Sequence, residues 1–311
     1  MINRLVYLNG KLVPESEAGF SIYDEGMMYG TVVFEMCRTF NGKQFLLRKH
    51  LERLYRGIKQ MAIPVTETID QMEDLVNMVV DANKDAFLPT DEHRVMINVS
   101  RGILPIYQKM LGQSGATVCI SDFPVKYTVA GIAHLFDDGI HAVTPLQRAI
   151  PSQFLENKIK NRSRIHYRVA NQQVALLNDP NAFALLLDPD GFVAEGTGSN
   201  FFIVKDGVLI TPEGRNILRG TRRDYILNMV DKTEVRNIEL YDVIHADEAF
   251  FCSTAFSMLP CVKINGTPIG DSKRHLKRGS FFNGILRAWS KDVGVDIEAQ
   301  TKAFAKEVNG G

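Results

Sequence analysis

Glu195-Gly196-Thr197-Gly198-Ser199-Asn200 lies between two apolar runs, Phe192-Val193-Ala194 before it and Phe201-Phe202-Ile203-Val204 after it. The run Ala182–Leu187 and the turn Asp188-Pro189-Asp190-Gly191 come first. The region therefore reads as a hairpin, then a strand that pauses and restarts inside a core sheet. Glycine at the pause permits close backbone approach and unusual dihedrals. A carboxylate in such a place is costly unless something positive faces it. Glu195 therefore needs a cationic partner.

At 311 residues the chain exceeds one ordinary core, so two domains are expected. Its 36 Lys+Arg balance 36 Asp+Glu, which argues against a nucleic-acid binder or a membrane-surface binder. Cys37, Cys119, Cys252 and Cys261 are scattered, mostly in apolar runs, with no CxxC spacing. Neither a zinc site nor a disulfide framework is suggested, and the expectation is buried thiols in a reducing compartment. There is no signal peptide and no apolar run long enough to span a bilayer, so a cytoplasmic protein is expected.

Outward from the opening motif, the N-terminal half reads as α+β. Leu5–Val13 forms a hairpin about Asn9-Gly10, a type I′ signal. Thr31–Phe40 is a strand closed by Asn41-Gly42, with Gln44–Leu46 its partner. His50–Ile63 has helical spacing in Leu51, Leu54, Tyr55, Ile58 and Met61, and Pro64 stops it. Thr66–Phe87 is a second helix, and Arg94–Ser100 and Thr117–Phe123 are strands. The expected domains are 1–123, an interdomain loop 124–139, and 140–311.

NGKLVP, YDEGMMYG..VFE..R and HLERLYRGI, in that order, resemble the opening of class IV (fold type IV) pyridoxal-phosphate aminotransferases. The resemblance is to the branched-chain group in particular, and it extends in five ordered blocks over nearly the whole chain. It implies an α+β, two-domain fold of the D-amino-acid aminotransferase type. The N-terminal α/β lobe would be smaller, and the C-terminal lobe larger with a β-barrel-like sheet. It also implies pyridoxal 5'-phosphate as cofactor, an amino donor and a 2-oxo acid as substrates, a loop over the substrate at 124–139, and a homodimer. Arg53, in the HLxRL element, would reach the cofactor phosphate, which a guanidinium fork suits well.

The family pattern has a Schiff-base lysine just before a helix carrying RxHYxxA-like residues. Lys160 fits it, and the helix is expected from about Asn161 to Leu177. Strand alternation puts Lys158 on the same face, so spacing alone leaves the pair undecided and the family register selects Lys160. As a free amine, Lys160 would move a proton from the substrate α-carbon. Glu195 would face the pyridine nitrogen of the cofactor, which answers its need for a positive partner. Gly220-Thr221-Arg222 opens a helix whose N-terminus suits a phosphate. Here Thr221 replaces the family's usual Ile, and Arg222 replaces the usual phosphate-binding Thr, so Arg222 either contacts the phosphate or points to solvent. Leu218 matches the apolar residue against one ring face. Thr254 matches the Thr given to the phosphate, and Ala255 the backbone N–H given to the substrate carboxylate. Ser272–Val293, with Leu276 and Trp289, reads as a closing amphipathic helix.

For substrate, the resemblance points to Tyr29, Phe34 and Arg38. The branched-chain Tyr-x-Arg strand is Arg94-Val95-Met96 here, so the usual carboxylate anchor is absent. The Arg and His of the D-amino-acid branch are Ile106 and Gln108. Arg94 is either a relocated anchor or a strand-edge charge. The leading expectation is a transaminase for a branched-chain-type amino acid or an amine. A lyase of the aminodeoxychorismate type, a D-amino-acid or (R)-amine transaminase, and a scaffold that binds cofactor without catalysis stay open.

Overall fold

Asn9 and Gly10 take positive φ (47° and 89°) and close the first hairpin in register Leu8↔Lys11. A right-twisted hairpin with a two-residue loop requires this. The computed structural model describes residues 4–270 and 278–310. The chain divides into two units: residues 1–125 with 159–164, and residues 126–158 with 165–311.

The first unit contains β1 (Leu5–Leu8), β2 (Lys11–Pro14), α1 (Glu25–Tyr29), β3 (Val32–Phe40), β4 (Lys43–Gln44), α2 (Leu47–Gln60), α3 (Ile69–Asn83), β5 (His93–Ser100), α4 (Pro105–Leu111) and β6 (Thr117–Pro124). Its strands form an antiparallel sheet in the order β2-β1-β6-β5-β3-β4. One face is apolar: Val33, Cys37, Val95, Ile97, Val99, Val118 and Ile120 pack under α2 and α3. The helices answer with Leu51, Leu54, Met72, Val76 and Val79, none more than 2% exposed. Each such side chain contributes about 1.5–3 kcal/mol by leaving water. The helix α2 runs from Leu47 to Gln60, ending before the expected Ile63, because Ala62 turns to φ 48° ahead of Pro64. In α3, Thr68 and Gln71 form a capping box.

The opposite face carries the other half of the alternation: Phe34, Met36 and Arg38 on β3, opposite Asn98, Met96 and Arg94 on β5. The edge of β3 near this face is completed from far along the chain. Phe34 N donates to Lys160 O (2.8 Å), and Arg162 N to Val32 O (3.0 Å). The expected helix from Asn161 therefore starts only at Ile165, because the backbone of 160–162 pairs with β3.

The second unit contains α5 (Lys126–Val129), α6 (Leu135–Asp138), β7 (Ile140–Val143), α7 (Ile165–Ala175), β8 (Ala182–Leu187), β9 (Val193–Gly196), β10 (Asn200–Lys205), β11 (Val208–Pro212), α8 (Thr221–Asn228), β12 (Thr233–Arg236), α9 (Leu240–Ile244), β13 (Glu248–Ser253), β14 (Ser257–Ile264), β15 (Thr267–Pro268), α10 (Ser280–Val293) and α11 (Ile297–Asn309). The sheet path is β12-β11-β10-β13-β14-β7-β8-β9, with β15 beside β14. β9, at one end of that path, contacts β10 and β11 near the other, so the sheet curls on itself. Phe202 and Phe250, cross-strand partners, stack at 5.0 Å in its core. Glu248 of β13 accepts from Phe281 N and Phe282 N and so caps α10, whose own cap residue is glycine. Trp289 is fully buried, as expected of a core residue.

The stretch 124–139, expected as an interdomain loop, is folded: Val129, Ala130, Leu135 and Phe136 are buried, and α5 packs on α11. Of the expected 272–293 helix, residues 280–293 are helical; Ser272 and Leu276 lie outside the described residues. The helix α11 was not anticipated, although Asp296 caps it and Ile297, Thr301 and Phe304 mark its buried stripe. No described helix is long and apolar enough to cross a membrane.

Candidate active site

In the first unit the extended run 159–164 lies along β3, and alternation turns Lys160, Arg162 and Arg164 to one side. Their cationic groups surround the Phe34 ring: Lys160 Nζ at 5.0 Å, Arg162 Cζ at 3.7 Å and Arg164 Cζ at 4.9 Å from its centroid. Lys158 is engaged differently. Its Nζ bonds Glu156 Oε1 (2.8 Å), Ser152 Oγ (3.2 Å) and Arg215 O (3.1 Å), all in the second unit. Sequence spacing left these two lysines equivalent; the structure gives Lys158 a carboxylate and sets Lys160 over an aromatic ring.

Arg53 is on the helix side of β3. Its Nε and Nη2 donate to Glu35 (2.6 and 2.9 Å), and His50 Nδ1 lies 2.7 Å from the same carboxylate. Glu35 is fully buried. Burial alone raises its pKa, but Arg53 and His50 more than offset this and hold the carboxyl well below the usual range. The sequence reading named Arg53 but not Glu35 or His50, although Glu35 stands next to Phe34 in the quoted motif. Arg38 is 1% exposed; its Nε donates to Thr39 O, and its guanidinium lies 4.1 Å from the Phe40 centroid. Burial lowers its pKa to about 10 against the pull of Glu92. Arg94 and Met96 share the Phe34 face, whereas Tyr29, in α1, is 68% exposed.

In the second unit, Glu195 is 4% exposed at the end of β9. Three neutral donors reach it: Tyr167 Oη at 2.6 Å, Leu218 N at 3.0 Å and Asn200 Nδ2 at 3.3 Å. Hydrogen bonds of this kind favour the charged carboxylate. Asn200 also donates to Leu218 O (2.8 Å), tying the motif to the segment leading into α8. A Cβ at Gly220 would lie 2.1 Å from Asn200 Oδ1, so only glycine fits there. Gly220 caps α8 without a side-chain acceptor, and the buried Thr221 opens the helix. Arg222 is 2% exposed and packs 5.9 Å from the Trp289 ring, which closes the solvent-pointing alternative. Thr254 and Ala255 form the β13–β14 turn, just beyond Cys252, the register partner of Asn200. Thus Glu195, Leu218, Gly220 and Thr221 form one connected group. Tyr167 and Asn200, both inside quoted motifs, are its unassigned supports.

The profile of the family described as Amino-transferase class IV matches residues 32–264. A "Putative branched-chain-amino-acid aminotransferase" of Methanocaldococcus jannaschii is 33% identical over 300 residues, covering 93% of this chain and 98% of that protein. The D-alanine aminotransferase of Bacillus licheniformis is 28% identical over 270 residues, 85% of this chain and 90% of its own. The solved branched-chain aminotransferase of Thermoproteus uzoniensis with norvaline matches with a TM-score of 0.80 at 25% identity, over 97% of each chain. With that profile covering most of the chain, and so similar a relative aligned along almost its full length, this protein belongs to the class IV aminotransferase family.

Proposed function

We propose that this aminotransferase carries pyridoxal 5'-phosphate and exchanges the amino group of a branched-chain-type amino acid with a 2-oxo acid. The observation that carries the reading is Glu195: a buried carboxylate that accepts hydrogen bonds from Tyr167 Oη, Leu218 N and Asn200 Nδ2. Such a carboxylate suits a protonated pyridine nitrogen, which repays its desolvation. Two further features support the fit. Gly220 leaves the mouth of α8 without a Cβ or a side-chain cap, which suits a phosphate. Lys160 Nζ lies 5.0 Å from the Phe34 ring centroid, on the sheet face that carries Met36 and Met96.

When bound, the cofactor supplies an electron sink that permits the substrate α-C–H bond to break. Lys160 Nζ would hold the aldehyde and, as a free amine, would take the proton from the substrate α-carbon. Glu195 keeps positive charge on the ring nitrogen, and Tyr167 and Asn200 hold its carboxylate in place. Leu218 would lie against the ring. Gly220, Thr221 and Thr254 would receive the phosphate, with Arg53, which Glu35 orients, and Arg222 as its cationic partners. Ala255 offers backbone N–H to the substrate carboxylate. Phe34, Met36 and Met96 give an apolar floor for an aliphatic side chain; Tyr29, Arg38 and Arg94 belong to the same substrate end.

We also propose a cytoplasmic homodimer. The four cysteines are buried thiols, which suits a reducing compartment. Ile22, Met27, Tyr29, Ile106 and Met110 are 67–77% exposed around α1 and α4, a patch that suits a second copy.

The test is the absorbance of purified protein with added cofactor, then a panel of L-amino acids, D-amino acids and amines. An imine band that Lys160→Ala abolishes, and that branched-chain L-amino acids discharge, is the expected outcome. Unaltered cofactor binding by Lys160→Ala, with no band in the wild type, overturns the reading. Discharge by D-amino acids alone moves the substrate to the other enantiomer.

A further inference from the structure

We propose that Lys158 is a positioning residue for Lys160. With Ser152, Asn216 and Asp188 it forms a hydrogen-bonded hub that ties three chain segments together: the one that carries the amine, the one that opens α8 and the one that leads to Glu195. The inference rests on the functional reading above, and it gives a role to the lysine that the family register passes over.

Three observations carry it. First, the Lys158 ammonium is used in full. It has three hydrogens to donate, and its acceptors are Glu156 Oε1 (2.8 Å), Arg215 O (3.1 Å) and Ser152 Oγ (3.2 Å). Ser152 Oγ in turn donates to Arg215 O. Glu156 Oε1 also accepts from Lys158 N (3.2 Å). Burial raises the Glu156 carboxyl, but the Lys158 and Ser152 contacts more than offset this and hold it below the usual range. The Lys158 side chain is only 30% exposed, so this is a fixed cation rather than a solvated one.

Second, the cluster continues inward through buried side chains. Ser152 N donates to Asn216 Oδ1 (3.2 Å), and Asn216 Nδ2 donates to Asp188 Oδ2 (3.1 Å). Asn216 and Asp188 are both buried. The other oxygen, Asp188 Oδ1, accepts from Asp190 N (3.0 Å) and Phe192 N (2.9 Å), which sets the turn before β9. A buried polar network satisfied in this way specifies one arrangement of the segments it joins.

Third, each member of the hub stands a short step from a residue of the site. Asn216 is two residues before Leu218, whose N donates to Glu195. Asp188 turns the chain into β9, which ends in Glu195-Gly196. Lys158 is two residues before Lys160, and it is the last residue of the second unit before 159–164 joins the first. Two extended residues span about 7 Å, which leaves little slack between the anchored ammonium and Lys160. Misplacing a reacting group by about 1 Å can cost about a hundredfold in rate. The hub therefore gives Glu195, Leu218 and the start of the lysine run one common support.

The test compares Lys158→Met, Lys158→Arg and Ser152→Ala with the wild-type holoenzyme. Lys158→Met should keep the imine band that Lys160→Ala abolishes. Its kcat with a branched-chain donor is expected to fall roughly ten- to hundredfold, with KM within about twofold of wild type. The pH midpoint of the band should move as well, which a loss of folded protein alone does not produce. Lys158→Arg keeps the charge and should recover part of the loss, since a planar fork serves three separate acceptors less well than an ammonium. Ser152→Ala removes one link and should fall between the two. Amide hydrogen exchange on the full-length chain gives a readout independent of turnover: Lys158→Met should speed exchange in 150–158 and in 213–218 alike. Loss of the band in Lys158→Met, an unchanged kcat and midpoint, a kcat that falls only in step with the melting temperature, or faster exchange confined to 150–158 overturns the hub. If the wild type shows no band and transfers no amino group, the functional reading falls, and exchange in 213–218 still decides the hub.

Discussion

Lys160 and Lys158 illustrate what a single residue's neighbours decide. Two positions apart in an extended run, they are equivalent by spacing, yet one meets a carboxylate and the other an aromatic ring. Glu35 is the other residue whose surroundings set its behaviour. Arg53 and His50 keep it ionised inside the core, so replacing it removes the carboxylate that faces the buried Arg53. Glu35→Gln should therefore cost about 3–5 kcal/mol at neutral pH, read by denaturant melts. Because the folded pKa is depressed, the carboxylate's stabilisation is fully present above about pH 4.3 and is lost as pH falls further. The gap between wild type and Glu35→Gln should thus be constant from pH 7 to pH 5 and narrow in stronger acid. A gap that instead widens in acid contradicts the assignment. Lys160 and Glu195 were named from the sequence because each stands in a short contiguous motif. Glu35, His50 and Arg162 were not, because their partners are distant in sequence.

Elements were legible where local backbone geometry rules. Asn9-Gly10, Asn41-Gly42 and Asp206-Gly207 all take the positive φ pairs that a tight hairpin demands, although the strand after Asn41-Gly42 is Lys43–Gln44 rather than the expected Gln44–Leu46, since Leu46 already caps α2. The start of α7 was not legible, since it depends on residues 160–162 pairing with β3. The helix mouth at α8 depends on a contact of the same non-local kind, between Gly220 and Asn200. Gly220 has φ −72°, which any residue adopts, so its requirement is space alone. Gly220→Ala should displace Asn200, costing about 1–3 kcal/mol and speeding cofactor release. Asn200→Ala on the same chain should recover part of that loss, giving a non-additive cycle. Strict additivity of the two changes sinks the account.

At the scale of the whole molecule, the sequence pointed to two domains, and the chain folds as two units. The expected break at 123 falls close to the first unit's break at 125, whereas the return of 159–164 to that unit has no local signal in the sequence. The exposed apolar patch around α1 and α4 belongs to this scale too. Met27→Glu combined with Ile106→Glu should shift the protein from dimer to monomer in light scattering, with little change in melting temperature. A wild type that is monomeric at micromolar concentration excludes the patch as a subunit contact.

The lysine-bearing run that finishes the edge of β3 is encoded after part of the other unit has begun. During synthesis the ribosome releases every long strand of the first sheet well before Ile159 emerges. Until then the nascent sheet keeps a bare stretch of backbone at Val32–Phe34, a template for unwanted pairing with another polypeptide. The arrival of Lys160 and Arg162 closes that vulnerable seam, so a half-made chain carries the hazard that the finished one has buried.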